Sequence, residues 1–307
     1  MLWILLAILS HSVNALVFVV DKSLLGQGGR VGRPVWYAAY SGMLAASAAS
    51  LLALSFKAPN FFIAQWSLIA GVAWVVALWL FFGALKMGEP SRVVPIAGSA
   101  VPVFTWLLAM AFLGEKLVAE QMLAVVFLIV GGSLLAVELD SVRSVRAAGV
   151  AVLSGAAFAV YFAVMKHVYD NFDSFLAAFA YSRLGVGVVG MGLLLVLFTL
   201  ERPVARKPEK KNLVITGVFL GNKIMGMVGL LLQNWAIALG SVTVVNALQG
   251  VQYVAVLLMA WLVSVKWSWL FKEEMNRVAR GQKVAGIILI SVGLVWLLLG
   301  EGYELVG

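Results

Sequence analysis

The sequence predicts an all-α integral membrane protein: ten transmembrane helices arranged as two inverted five-helix repeats. Three observations carry that prediction. First, hydrophobic residues make up 63% of the 307 residues and charged residues only 12%, about half the charge of an ordinary soluble domain. A water-soluble fold of this length has nowhere to hide so much apolar surface. Second, the charges are clustered and leave windows long enough to cross a hydrocarbon core of about 30 Å as helices. Third, the two halves of the chain match one another segment by segment and in order. No alternating apolar–polar pattern recurs, so a strand barrel is not expected.

The apolar windows fall at 3–20, 35–56, 63–86, 92–112, 117–137, 147–165, 174–200, 212–239, 241–265 and 283–300. The first, "MLWILLAILSHSVNALVFVV", lacks a basic leader and a small-residue cleavage site, so it is expected to stay as a span. Between the third and fourth, "GEPSR" (88–92) is a tight turn with Pro90 ahead of the helix. The fourth carries Pro95 and Pro102 seven residues apart, on one face. Each removes a donor and leaves a carbonyl one turn back, at Ser91 and Gly98, without its helical partner. Pro95, Pro102 and Gly98 are therefore expected to form a hinge. "ELDSVRSVR" (138–146) ends the fifth span and divides the chain into units 1–140 and 141–307. The most polar internal break, "ERPVARKPEKKN" (201–212), reads as a solvated loop after the seventh span.

The repeat is visible in three places. "LSHSVNALVFVVDK" (9–22) aligns with "LSGAAFAVYFAVMK" (153–166), "AAYSG" (38–42) with "FAYSR" (179–183), and "ALKMGEPSRVVPIAG" (84–98) with "AIALGSVTVVNALQG" (236–250). An odd number of spans per repeat makes the second enter from the opposite side, the inverted architecture of secondary transporters, whose sites lie near the midplane between halves. Loops after the odd-numbered spans hold 17 of the 22 basic residues. The positive-inside rule then puts both termini on the non-cytoplasmic face of an inner or plasma membrane. That distribution explains the net charge of +8 without nucleic acid.

Composition also bounds the chemistry. There is no cysteine, so thiolate metal sites and disulfides are excluded. No P-loop pattern appears, and the two histidines, His11 and His167, lie far from any HExxH arrangement. No catalytic residue, metal or cofactor is expected. Asp21, Glu89, Glu115, Glu138 and Asp173 read as lying at span ends. The ionisable groups inside spans are then basic. Lys223 sits near the centre of the eighth span, where an unpaired lysine costs at least about 2.5 kcal/mol and should face a cavity or a partner. Asn234, three turns on, shares its face. Asn246, Gln249 and Tyr253 share a face of the ninth span by spacings of three and four, and Gln252 points elsewhere. His11 and Asn14 share a face of the first. These seven are the expected substrate-binding residues. The plainer alternative for each is a polar contact that joins helix to helix. Arg183 reads as structural, snorkelling or pairing with Asp173. Trp3, Trp36, Trp66, Trp267 and Trp269 read as interfacial anchors.

"GEPSRVVPIAGSAVPVFTWLLAMAFLGEKL" (88–117) resembles the signature of the EamA family of the drug/metabolite transporter superfamily: a small-residue turn, a proline-bearing span, then a glycine–glutamate pair. "GQKVAGIILISVGLVWLL" (281–298) is similar to that family's closing span. The second half departs from it with "NALQGVQY" in place of the prolines and a longer loop, "KWSWLFKEEMNRVARG". The resemblance implies a secondary carrier of a small metabolite working by alternating access, as a monomer or homodimer in the bilayer. It also implies cytoplasmic termini, against the charge count. Lys223 points to an anionic or zwitterionic solute. The alternatives are a facilitative channel or a membrane-embedded lipid-modifying enzyme. For the latter the only tight acidic pair, Glu273–Glu274, lies in a basic loop without histidine.

Overall fold

Every described element is helical. The computed structural model describes residues 2–108, 110–111, 119–136, 142–201, 213–266 and 277–304. The helices are α1 (Leu2–Leu25), α2 (Pro34–Ala45, continued by a 3-10 turn to Ala53), α3 (Phe61–Met87), α4 (Pro90–Leu108), α5 (Ala119–Ala136), α6 (Val142–Asn171), α7 (Phe175–Leu200), α8 (Leu213–Leu239), α9 (Val242–Ala247), α10 (Gly250–Lys266) and α11 (Arg277–Glu304). Eight stretches, with α9 and α10 taken together, are long and apolar enough to cross a membrane. Two shorter apolar stretches, Met122–Gly132 and Gly281–Gly293, lie in α5 and α11.

Local chemistry sets the helix starts and stops. Asn60 accepts from the Ile63 amide at 2.9 Å, and Ser174 and Ser241 take the same part for α7 and α9, each satisfying one orphan donor of a first turn. Pro34 and Pro90 open α2 and α4, where a missing N–H costs nothing. Gly29, with φ 71° in the turn after α1, takes a backbone conformation that side chains disfavour.

Long apolar side chains on the outer faces stand exposed, among them Leu5, Leu195, Leu213 and Ile224. A bilayer, not water, is the solvent that such faces require. The interior is the reverse. Thr105, Ser154, Asn222, Gln233 and Gln252 are buried. So is Trp36, fully, and it is no interfacial anchor: its indole N–H donates to Glu201 at 3.1 Å. Trp267 and Trp269 lie outside the described residues, as does the Glu273–Glu274 pair.

Helices from the two halves interleave. α3 lies against α6 and α7, α1 against α8, α4 against α6, and α10 against α1. α2 meets α7, α4 meets α9 and α10, and α5 meets α11.

The fourth span was expected to hinge at Pro95, Gly98 and Pro102. α4 runs helical through Pro95 and Pro102, both buried. An interruption falls in the matching span, at Leu248–Gln249 between α9 and α10. There the Gln249 amide donates to Asn246 at 3.3 Å and the Gln252 amide to Gln249 at 2.9 Å, a tighter winding than the α-helix. At Gly98 the reason for glycine is packing. A side chain there would meet the Tyr253 hydroxyl at 2.2 Å, so α4 and α10 approach through it.

Candidate functional site

A cavity of about 140 Å³ opens between helices of both halves, room for on the order of ten waters or a small metabolite. Its wall has an apolar side, with Trp74, Phe81 and Phe82 of α3 and Phe158 and Phe162 of α6. The wall also carries polar groups: His11, Asn14 and Asp21 of α1, Arg183 of α7, Asn222, Lys223 and Gln233 of α8, and Gln249 and Gln252 beside the break. A mostly apolar pocket with a few convergent polar groups is the usual form of a small-molecule site.

Asp21 is the acidic group that span-end reasoning missed. The apolar window stops at residue 20, but α1 continues to Leu25, so Asp21 lies within the helix and is only 1% exposed. Its Oδ1 accepts from Tyr37 Oη at 2.5 Å, Asn222 Nδ2 at 2.7 Å and Lys223 Nζ at 2.9 Å. The Lys223 ammonium also stands 4.3 Å from the centre of the Tyr37 ring, a favourable cation–π position. Lys223 therefore lines the cavity as expected, but as half of an ion pair joining α1 to α8. A partly buried lysine is tolerated when so paired.

Arg183 does not pair with Asp173, which binds Lys57 instead. It is 1% exposed and lies on the cavity wall. Nη2 donates to Tyr161 Oη at 2.5 Å and Nε to Ser182 Oγ at 3.3 Å. The guanidinium sits 4.9–5.3 Å from the ring centres of Trp74, Tyr161 and Phe179. Its Nη1 is buried with no hydrogen-bond partner among the described residues. Asn234 stands behind this group rather than in the cavity. Its Oδ1 accepts from Tyr161 Oη at 3.1 Å and Tyr169 Oη at 2.9 Å, which fixes Tyr161 under the guanidinium.

The turn at Leu248–Gln249 rearranges the expected polar face of the ninth span. Gln249 lines the cavity, and so does Gln252, which regular helical spacing had turned away. Asn246 is held instead by Gln233, Nε2 to Oδ1 at 3.0 Å, and Tyr253 is buried against Gly98. His11 reaches across from α1. Its Nε2 lies 3.0 Å from the Val245 carbonyl oxygen and its Nδ1 3.4 Å from Gln252 Oε1. A neutral ring that donates to the carbonyl through Nε2 leaves Nδ1 an acceptor, which a Gln252 amide turned end for end, with its NH₂ in place of Oε1, would satisfy. Of the expected binding residues, His11, Asn14, Lys223 and Gln249 thus share one cavity, with Gly98 on its wall. Asn234, Asn246 and Tyr253 pack around it.

These features define a polytopic α-helical membrane protein with a central cavity whose mostly apolar wall carries charged and polar groups. Residues 1–137, a little under half of the chain, match the EamA-like transporter family. No curated protein matches the chain. Among 28 matching solved chains, one crystal structure, titled only as that of a protein, aligns with 99% of this chain and 98% of its own at a TM-score of 0.61 and 18% identity. That likeness speaks for the fold alone.

Proposed function

We propose that this protein is a secondary transporter of ten spans, two inverted five-span repeats, that carries a small anionic or zwitterionic solute through the central cavity by alternating access. One observation carries the reading: a mostly apolar chamber that carries charged and polar groups, between helices of both halves of a membrane protein. The pattern of helix contacts supports the repeat. Exchanging each helix of the first half for its counterpart in the second turns α3–α6 into α8–α1 and returns α2–α7, α4–α9/α10 and α5–α11 to themselves. In this reading His11, Asn14, Gln249 and the Asp21–Lys223 pair contact the solute, α4 with Pro95, Gly98 and Pro102 is one moving element, and both termini face away from the cytoplasm.

The test is counterflow in proteoliposomes. Vesicles preloaded with unlabelled candidate solute should take up labelled solute transiently, and uptake should saturate. Flux that rises linearly without counterflow would make the protein a channel. Chemical conversion of the solute would make it an enzyme.

A further inference from the structure

Resting on the transporter reading, we propose that Arg183 is the solute-anchoring residue of the cavity and that the solute is an organic oxyanion carrying a single negative charge on an apolar body. Of the charged side chains on the cavity wall, Asp21 and Lys223 neutralise one another at 2.9 Å. Among the described residues Arg183 has no carboxylate within ion-pairing distance, and its Nη1 has no hydrogen-bond partner. A buried guanidinium left like this carries a desolvation cost that an incoming anion relieves. Its remaining donors suit an oxyanion, which guanidinium groups bind with paired, charge-assisted hydrogen bonds.

Charge counting narrows the class. With His11 neutral, the empty cavity holds one net positive charge. A monoanion brings it to zero. A zwitterion leaves one positive charge in a low-dielectric chamber, and a dianion leaves one negative. The wall around Arg183 supplies the rest of the fit: Trp74 beside the guanidinium, with Phe158 and Phe162 on the same side of the cavity, present ring surface to an apolar substituent. Tyr161, pinned by Asn234, holds the guanidinium in place from behind.

Four probes with one aromatic body and different charges test this: phenylacetate, phenylalanine, phenyl phosphate and phenethylamine. Binding is read as thermal stabilisation of the purified full chain in detergent, and independently as quenching of Trp74, obtained as the difference from Trp74→Phe. Phenylacetate should stabilise the protein at the lowest concentration and phenethylamine not at all. Arg183→Met should raise the half-saturating phenylacetate concentration by about tenfold or more, with Arg183→Lys between. Asn14→Ala, on the same wall without a charge, should change it less than Arg183→Met. The proposal is overturned if phenylacetate neither stabilises nor quenches the unsubstituted protein, if phenylalanine, phenyl phosphate or phenethylamine binds more tightly, or if a folded Arg183→Met binds phenylacetate unchanged. Failure of counterflow with intact, Arg183-dependent binding would instead overturn the transporter reading and leave the anion site standing.

Discussion

Two interfaces that the proposed inverted repeat would make equivalent are built very differently. α3 packs on α7 closely, through glycines: a side chain at Gly185 would lie 2.0 Å from the Ser67 carbonyl oxygen, and one at Gly71 would lie 2.6 Å from the Gly185 backbone. α2 meets α7 the same way at Gly42 and Gly190. The counterpart of α3–α7 is α8–α2, and there the helices barely touch. Gly217 and Gly221 of α8 have nothing within 4 Å of where a side chain would start. What bridges that flank is polar and aromatic: Tyr37 of α2 donates to Asp21, which also holds Asn222 and Lys223 of α8, and the Tyr37 ring meets Phe219 at 5.1 Å. One side is fastened by backbone proximity, which is hard to loosen by degrees. The other is fastened by a few directional contacts, which can form and break. A carrier that alternates needs such inequality between related interfaces in any one state.

Three experiments would break or sharpen this contrast. The largest effect is expected at the loose flank. Asp21→Ala leaves the partly buried Lys223 without its carboxylate and should cost up to about 3 kcal/mol. Asp21→Ala with Lys223→Met should cost clearly less than the two single losses added, measured as a thermal-unfolding cycle in detergent. Additive losses would mean that the pair does not couple α1 to α8. Next, Gly185→Ala should destabilise by about 1–3 kcal/mol because backbone must move to admit the methyl group. Gly221→Ala should be neutral or stabilising by up to about 1 kcal/mol, the helix-propensity gain. Equal effects would abolish the distinction between seam and flank. The smallest effect concerns Glu201, which closes the α2–α7 side by binding Arg33 and Trp36 and lies near Arg30. Desolvation raises its carboxyl pKa, but these hydrogen bonds and charges outweigh it and hold the value below the usual carboxylate range. With the folded-state value depressed, the stabilisation is present at neutral pH, above the unfolded value, and is lost as pH falls through the folded one. Glu201→Gln should flatten that acid limb of the melting-temperature profile, and an unchanged limb would remove Glu201 from the interface account.

Most of the helices were legible because a bilayer imposes length and apolarity together, and the described helices fall on the expected windows to within a few residues. The site was less legible, for three physical reasons. Helices outrun their apolar windows when a polar residue has a buried partner, which hid Asp21 at the end of a window although α1 continues to Leu25. Ion pairs depend on contacts between distant spans, so Arg183 could not be separated from Asp173 by spacing alone. And regular periodicity fails across a turn: Gln252 faces the cavity because the helix rewinds at Leu248–Gln249. A near-central lysine was a sound pointer to the chamber, but nothing in its spacing revealed that Asp21 already matches its charge.

The same turn has a consequence for how the protein can vary. Because the Gln249 amide turns to Asn246, the Val245 carbonyl meets His11. Its acceptor belongs to the main chain, so any side chain that fits at 245 inherits it unchanged. The bond between the two halves therefore rests on one genetically visible residue, His11, and one invisible one. Drift at position 245 would leave the contact intact, while drift at position 11 would erase it.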